Sequence, residues 1–282
     1  MDPMKLFPAV LAALLLAGCA GFPTTADQVR EAKPAAPELA IQSWRTEQGA
    51  KVLFVPSPAL PMLDVRLVMD AGSARDGDLP GVAALTSALL GEGAEGLSVD
   101  EIARGFEDRG ASFSTGSYQD MGVISLRTLS RPRWREDAVD LLARVIGTPT
   151  FPQGALERIR TSALQGLKME KQVPGPQVNK TFQSTLFGDH PYGHPQSGTL
   201  DSLPAIERAD LVAFHQRYYA AGNAVIALVG DVSREQAEAI AEKLSGALPR
   251  GDAAPELARA ERLKERVTEH VDFPSNQTHI LI

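Results

Sequence analysis

Two runs rich in Val and Leu, residues 51–56 and 63–70, flank Ser57-Pro58-Ala59-Leu60-Pro61, a pattern that predicts two strands and a turn. Val82, Leu85 and Leu89 then recur at helical spacing within residues 81–90 and predict a helix with one buried face. Ser98-Val99-Asp100-Glu101 is a capping box; the helix it opens has Ile102 and Phe106 on one face and ends at Gly110. Residues 111–118 and 121–129 predict a strand pair. The following helix carries Trp134, Ala138, Leu141 and Val145 until Gly147 and Pro149 stop it.

Beyond Phe151-Pro152, Leu156, Ile159, Ala163 and Leu167 form one stripe of a helix that runs to Val173-Pro174, and Val178, Phe182 and Leu186 mark another. Residues 188–200 are polar and rich in Pro and Gly, hence a loop. Residues 207–219 return to helix, 224–230 read as a buried strand, and Ser233 with Gln236 caps a last helix ending near Leu248-Pro249. The order predicts one α+β domain over residues 41–249. Residues 250–266 are charged and Ala-rich, a linker in composition. Residues 267–273 and 277–282 predict strands with no partner, which we expect to be the truncated start of a second, similar domain.

The N-terminus follows a different logic. Residues 4–19 (MKLFPAVLAALLLAGC) place a basic Lys5 before an apolar run that ends in small residues and Cys19, the layout of a secretory signal. The run is too short for a bilayer core of about 30 Å. Leu16-Ala17-Gly18-Cys19 resembles the lipobox of bacterial lipoproteins, which implies a signal peptide over residues 1–18, lipidation at Cys19 and attachment to the membrane through acyl chains. The alternative is an ordinary signal peptide with an incidental cysteine. Ala20 after Cys19 favours, by the same resemblance, the outer membrane and a body facing the periplasm. Residues 19–40 read as a flexible tether.

Composition narrows the function classes. The 282 residues are 44% hydrophobic and 22% charged, enough apolar chain for a sizeable core. The net charge of -7 is spread without the basic stripe that phosphate neutralisation needs, so nucleic acid is excluded as a partner. Cys19 is the only cysteine, which rules out a disulfide framework or a thiolate zinc site within one chain.

Several local signatures resemble the N-terminal half of the M16 (pitrilysin/insulinase-like) zinc peptidases. They are Asp70-Ala71-Gly72-Ser73-Ala74-Arg75 leading to Gly81-Val82-Ala83, His190-Pro191-Tyr192-Gly193-His194-Pro195 with Gly198-Thr199, and Phe214, Tyr218-Tyr219, Asn223 and Val229-Gly230-Asp231. The resemblance implies the fold shared with LuxS and mitochondrial processing peptidase, a mixed, mostly antiparallel sheet with helices packed on it. Active members carry H-x-x-E-H, two histidines for zinc and a glutamate as general base. Aligned on Gly81-Val82-Ala83, this chain has Ala84 and Ala88 at the histidine positions and Ser87 at the glutamate position. The third ligand, a glutamate in active members, aligns with Gly166, flanked by Glu157 and Glu170. Alanine has no donor atom, and a serine hydroxyl is too weakly acidic to replace a carboxylate base. The expectation is that catalytic residues and zinc are both absent.

The five histidines do not rebuild a site. His190 and His194 are four apart, but Pro191 and Pro195 oppose the helix that would bring them onto one face, and local hydrogen bonding is expected instead. His215, His270 and His279 are isolated, and Glu92 and Glu95 read as solvated. By resemblance, the chain is a non-catalytic subunit that partners a zinc-bearing M16 peptidase carrying H-x-x-E-H. It would bind peptide or unfolded-protein substrate at the cell envelope, with substrate-holding residues beyond Ile282. The alternative is a stand-alone peptide-binding or assembly lipoprotein of the same fold.

Overall fold

Alternation along the strands divides the sheet into a covered and an open face. The structure, a computed structural model, describes residues 39–282; the signal-like segment, Cys19 and nearly all of the tether lie outside the described residues. The chain enters through β1 (Gln42–Arg45), β2 (Lys51–Pro56) and β3 (Met62–Met69). In β3 the side chains of Leu63, Val65, Leu67 and Met69 are buried, while those between them are partly or fully exposed. Helix α1 (Val82–Leu89), a hairpin of two-residue strands β4 (Gly93–Ala94) and β5 (Leu97–Ser98), and helix α2 (Val99–Glu107) follow. Next come β6 (Ser112–Ser117), β7 (Gly122–Leu129), and helices α3 (Pro132–Gly147), α4 (Gln153–Glu170) and α5 (Pro174–Phe187). A one-turn helix α6 (Ser202–Ala205), α7 (Arg208–Tyr218), β8 (Ala224–Gly230) and α8 (Arg234–Ala247) complete the regular structure.

The main sheet has the order β1-β2-β8-β3-β7-β6, and every pair is antiparallel except β2 with β8. The register aligns the buried rows: Leu63 with Gly230, Val65 with Leu228 and Leu126, Leu67 with Ile226 and Ile124. That face meets the helices, with the apolar sides of α1, α3 and α8 completing one core. On the opposite face Arg127 donates a two-pronged pair of bonds, 2.6 and 3.0 Å, to Asp64 across the strands. An α+β mixed sheet with helices on one side is what the apolar pattern and the family resemblance imply.

Some elements were not legible in that pattern. β1 and the β4-β5 hairpin are too short for a periodic signal, and the described structure makes β1 one edge of the sheet. The stripe Val178, Phe182 and Leu186 lies on a helix as expected, yet α5 has no fully buried residue. The strands expected at residues 267–273 and 277–282 do not form: both segments lack regular structure, and Ile280, Leu281 and Ile282 stay exposed. A strand needs a partner for its backbone groups, and among the described residues none lies beside these. The linker is also no free spacer. Ala221 N–H donates to Pro249 O, Gly222 N–H to Gly251 O, and Ala254 N–H to Asn223 Oδ1 at 2.9 Å, which ties its first part to the body.

Candidate functional site

Helix α1 is short and depends on what surrounds it. Its first turn has no acidic residue, and Gly81 precedes it with a φ of 100°, a conformation that L side chains rarely adopt. Gly81 is also pressed against Gly198, where a Cβ would come within 3.0 Å of the neighbouring Cα. The missing cap comes from Asp76, five residues upstream. Its Oδ2 accepts from Gly81 N–H at 2.7 Å and its Oδ1 from Ala83 N–H at 2.9 Å, satisfying donors the helix itself leaves orphaned. Asp76 is only 6% exposed, and burial pushes its carboxyl up to about 7, against the pull of the two N–H groups. Arg75 beside it is forked onto Asp70, which fixes the loop feeding the helix.

Val82, Leu85 and Leu89 of α1 face the core, as the spacing predicts. Ala84 and Ala88 lie one turn apart on the other side, the first half-buried and the second exposed. Ser87 points inward and is 3% exposed; its carbonyl accepts from Thr115 Oγ1 at 2.8 Å, which locks α1 over the middle of β6. The Tyr219 hydroxyl, fully buried, faces Ser87 without forming a well-aligned hydrogen bond, and burial pushes its phenol well above the ordinary range. Gly166 is exposed on α4, the helix that packs against α1, and a Cβ there would meet nothing within 4 Å.

The family resemblance implies a zinc ion held between these two helices. Zinc needs nitrogen, sulfur or oxygen donors at roughly 2.0 to 2.3 Å. Ala84, Ala88 and Gly166 supply no such atom, and Ser87 is turned into the core. Among the described residues, no group of three or more His, Cys, Asp or Glu is placed to hold a metal. The residues present do not fit zinc, and no hydrolytic step can be derived through it.

The nearby acids are engaged elsewhere. Glu92 is not simply solvated: it forms an ion pair with Arg158 of α4, and its side chain is 17% exposed. Helix α4 passes over the turn after α1, a proximity that local patterning does not encode. Glu157 accepts from Arg160 at 2.6 Å and Gln153 at 2.8 Å, and the Arg160 bond holds its carboxyl below the usual range. Glu170 pairs with Lys180 of α5 at 3.0 Å. Glu95 is exposed.

Among the histidines, His190 and His194 flank a single 3-10 turn (Pro191–Gly193), not a helix. His190 Nδ1 accepts from Tyr192 N–H at 3.2 Å, so its Nε2–H donates to Ala258 O at 2.8 Å. His215 is buried with Nε2 at 2.8 Å from Ile146 O, and burial holds it neutral, with its pKa lowered to about 4. His270 is exposed beside Asp272. Asp76, Tyr219 and the Arg158 pairing were not anticipated; the Asp-Gly turn before an uncapped helix was the one local signal for the first.

Comparison with known proteins agrees with this architecture. Residues 51–200 match the profile described as insulinase (peptidase family M16), and residues 205–282 match the one described as peptidase M16 inactive domain. A solved structure described as a peptidase M16 inactive domain, from Pseudomonas fluorescens, is 50% identical with a TM-score of 0.78, over 79% of this chain and 54% of that one. Pitrilysin shares the fold at 22% identity, with a TM-score of 0.69, over 81% of this chain and 25% of that one. Among curated sequences, a protein of Helicobacter pylori named a non-peptidase homolog is 25% identical over 77% of this chain and 50% of its own length. One of Mycobacterium leprae named an uncharacterized zinc protease is 27% identical over 70% of this chain and 44% of its own length. The chain spans about half the length of the curated relatives it matches. No helix among the described residues is long and apolar enough to cross a membrane. Matched by the family profile over more than half its length, with the sheet and helix arrangement to go with it, the chain belongs to peptidase family M16.

Proposed function

We propose that this chain is a non-catalytic M16 subunit that holds extended peptide and works beside a zinc-bearing M16 peptidase carrying H-x-x-E-H. The observation that carries the reading is the pairing of an open strand edge with a helix stripped of donor atoms. Among the described residues β6 ends the sheet, which leaves its outer edge open to an added strand, and α1, packed on β6, presents the methyl groups of Ala84 and Ala88. An added strand gains affinity from main-chain hydrogen bonds and needs no catalytic group. The name of the Helicobacter relative supports the non-catalytic half of this reading. The chain supplies no metal and binds none; the partner would supply zinc, which activates water for hydrolysis. Attachment through a lipidated Cys19 would place the pair at the cell envelope, on the periplasmic side, with the outer membrane as the favoured site.

The test mixes the full-length, unlipidated protein with an H-x-x-E-H homologue from the same source and follows cleavage of a quenched-fluorescence peptide. Activity of the mixture well above that of the homologue alone is expected. No gain, together with retained peptide binding by this chain, would contradict the partnership and favour the stand-alone binding module.

A further inference from the structure

The register of the sheet fixes which backbone groups of β6 face outward. Tyr118 N–H donates to Met121 O at 2.8 Å, and hydrogen-bonded pairs alternate along an antiparallel ladder. Gly116 with Val123, Ser114 with Ser125 and Ser112 with Arg127 are therefore the bonded pairs between β6 and β7. The other side of β7 agrees: Ser130 N–H donates to Pro61 O at 3.0 Å in the β3 register, which commits Ile124, Leu126 and Thr128 to β3. Phe113, Thr115 and Ser117 then direct both N–H and C=O away from the sheet, and among the described residues no other backbone group bonds to them there. No residue of β6 is fully buried, so this edge is open to a ligand.

Side chains opposite one another in a ladder share a face. Those of Phe113 and Thr115 lie opposite Leu126 and Ile124 on the helix-covered face, where the Phe113 ring stacks on Phe106 and Thr115 Oγ1 donates to the Ser87 carbonyl. In an antiparallel added strand, the residues opposite Phe113, Thr115 and Ser117 bond to them and place their side chains on this same face, the side of α1. Neither β6 (SFSTGS) nor α1 (VAALTSAL) carries a charged side chain. A charged ligand group on that side loses water and finds no counter-charge on either element, whereas an apolar one gains cover. The intervening side chains leave on the open face beside Ser112 and Ser114, both exposed, where polar groups stay hydrated.

Resting on the peptide-holding reading above, we infer that the β6 edge selects amphipathic strand segments: antiparallel, with apolar side chains at the three alternate positions opposite Phe113, Thr115 and Ser117 and polar ones between. A folded antiparallel sheet hides such segments on its one buried face, so the ligand class is unfolded or partly unfolded β-rich protein.

The test uses fluorescein-labelled nonapeptides with a five-residue core of Val and Thr between Gly-Ser flanks, and reads binding to the protein by fluorescence anisotropy. The alternating core Val-Thr-Val-Thr-Val should bind at least about fivefold tighter than the blocked core Val-Val-Val-Thr-Thr of the same composition. N-methylation of the three Val residues of the alternating core, whose N–H groups turn to β6, should weaken binding at least about tenfold, and N-methylation of its two Thr residues should leave binding within about twofold. Thr115→Pro deletes one outward N–H of the edge without touching the β6-β7 ladder, and in a variant shown to be folded by thermal melting it should weaken the alternating peptide at least about fivefold. Equal binding of the two cores, a loss from Thr methylation that matches that from Val methylation, or unchanged affinity in folded Thr115→Pro would each overturn the pattern and register alone. No binding by any peptide would overturn the peptide-holding reading and this inference with it.

Discussion

His215 and Asp76 are both buried, and burial disfavours the charged form of each. For His215 this lowers the pKa from 6.5 to about 4, so between those values the unfolded chain binds the extra proton. Its contribution to stability is full above about pH 6.5 and is lost as pH falls toward 4, by about 3 kcal/mol at most. For Asp76 the pKa rises from 3.8 to about 7, so the folded state holds the extra proton in that window. Its contribution is full at low pH and is lost as pH rises toward 7. The two slopes oppose each other in the wild-type protein. Denaturant midpoints across pH 4 to 7 should therefore fall with rising pH in His215→Gln, and rise with it in Asp76→Asn. Profiles unchanged from wild type in both would contradict this. Tyr219 makes a separate case: its buried hydroxyl has no partner, so Tyr219→Phe should leave thermal stability equal or slightly higher. A loss above about 1 kcal/mol would mean that the hydroxyl bonds to Ser87 after all.

Among the elements, the helices differ in how they are held at their starts. Ser98 and Glu101 exchange bonds in a capping box on α2 at an exposed position, and Ser98→Ala should cost about 1 kcal/mol. Asp76→Ala leaves two buried N–H groups at the head of α1 unpaired and should cost about twice that or more in the same denaturation measurement. α5 has no fully buried residue, and its amides should exchange with deuterium faster than those of α3, which buries seven. Protection of α5 equal to that of α3 would be the contrary result. The long helices and central strands were legible in the chain because each carries several buried residues at a single period, as Leu63, Val65, Leu67 and Met69 do in β3. β1 and the β4-β5 hairpin were not, since two to four residues cannot display a period. Residues 267–282 show the converse error: a β-like composition forms no strand without a neighbour to pair with.

For the whole molecule, the candidate site was partly legible. The order of elements and the loop signatures located α1, and residue identity alone states that Ala84, Ala88 and Gly166 carry no metal-binding atom. What could not be read is how separate segments converge: Thr115 on Ser87, Arg158 on Glu92, and Gln119 beside the loop at Tyr192 are contacts set by packing over long sequence separations. The first of these contacts sets β6 against α1, the helix that carries Ala84 and Ala88. The central claim, an M16 chain that cannot itself perform metal-assisted hydrolysis, is tested most directly by elemental analysis of the protein purified in the presence of zinc. The account predicts zinc far below one ion per chain and no chelator-sensitive cleavage of peptides by the chain alone. One zinc per chain, with cleavage abolished by chelator, would contradict it.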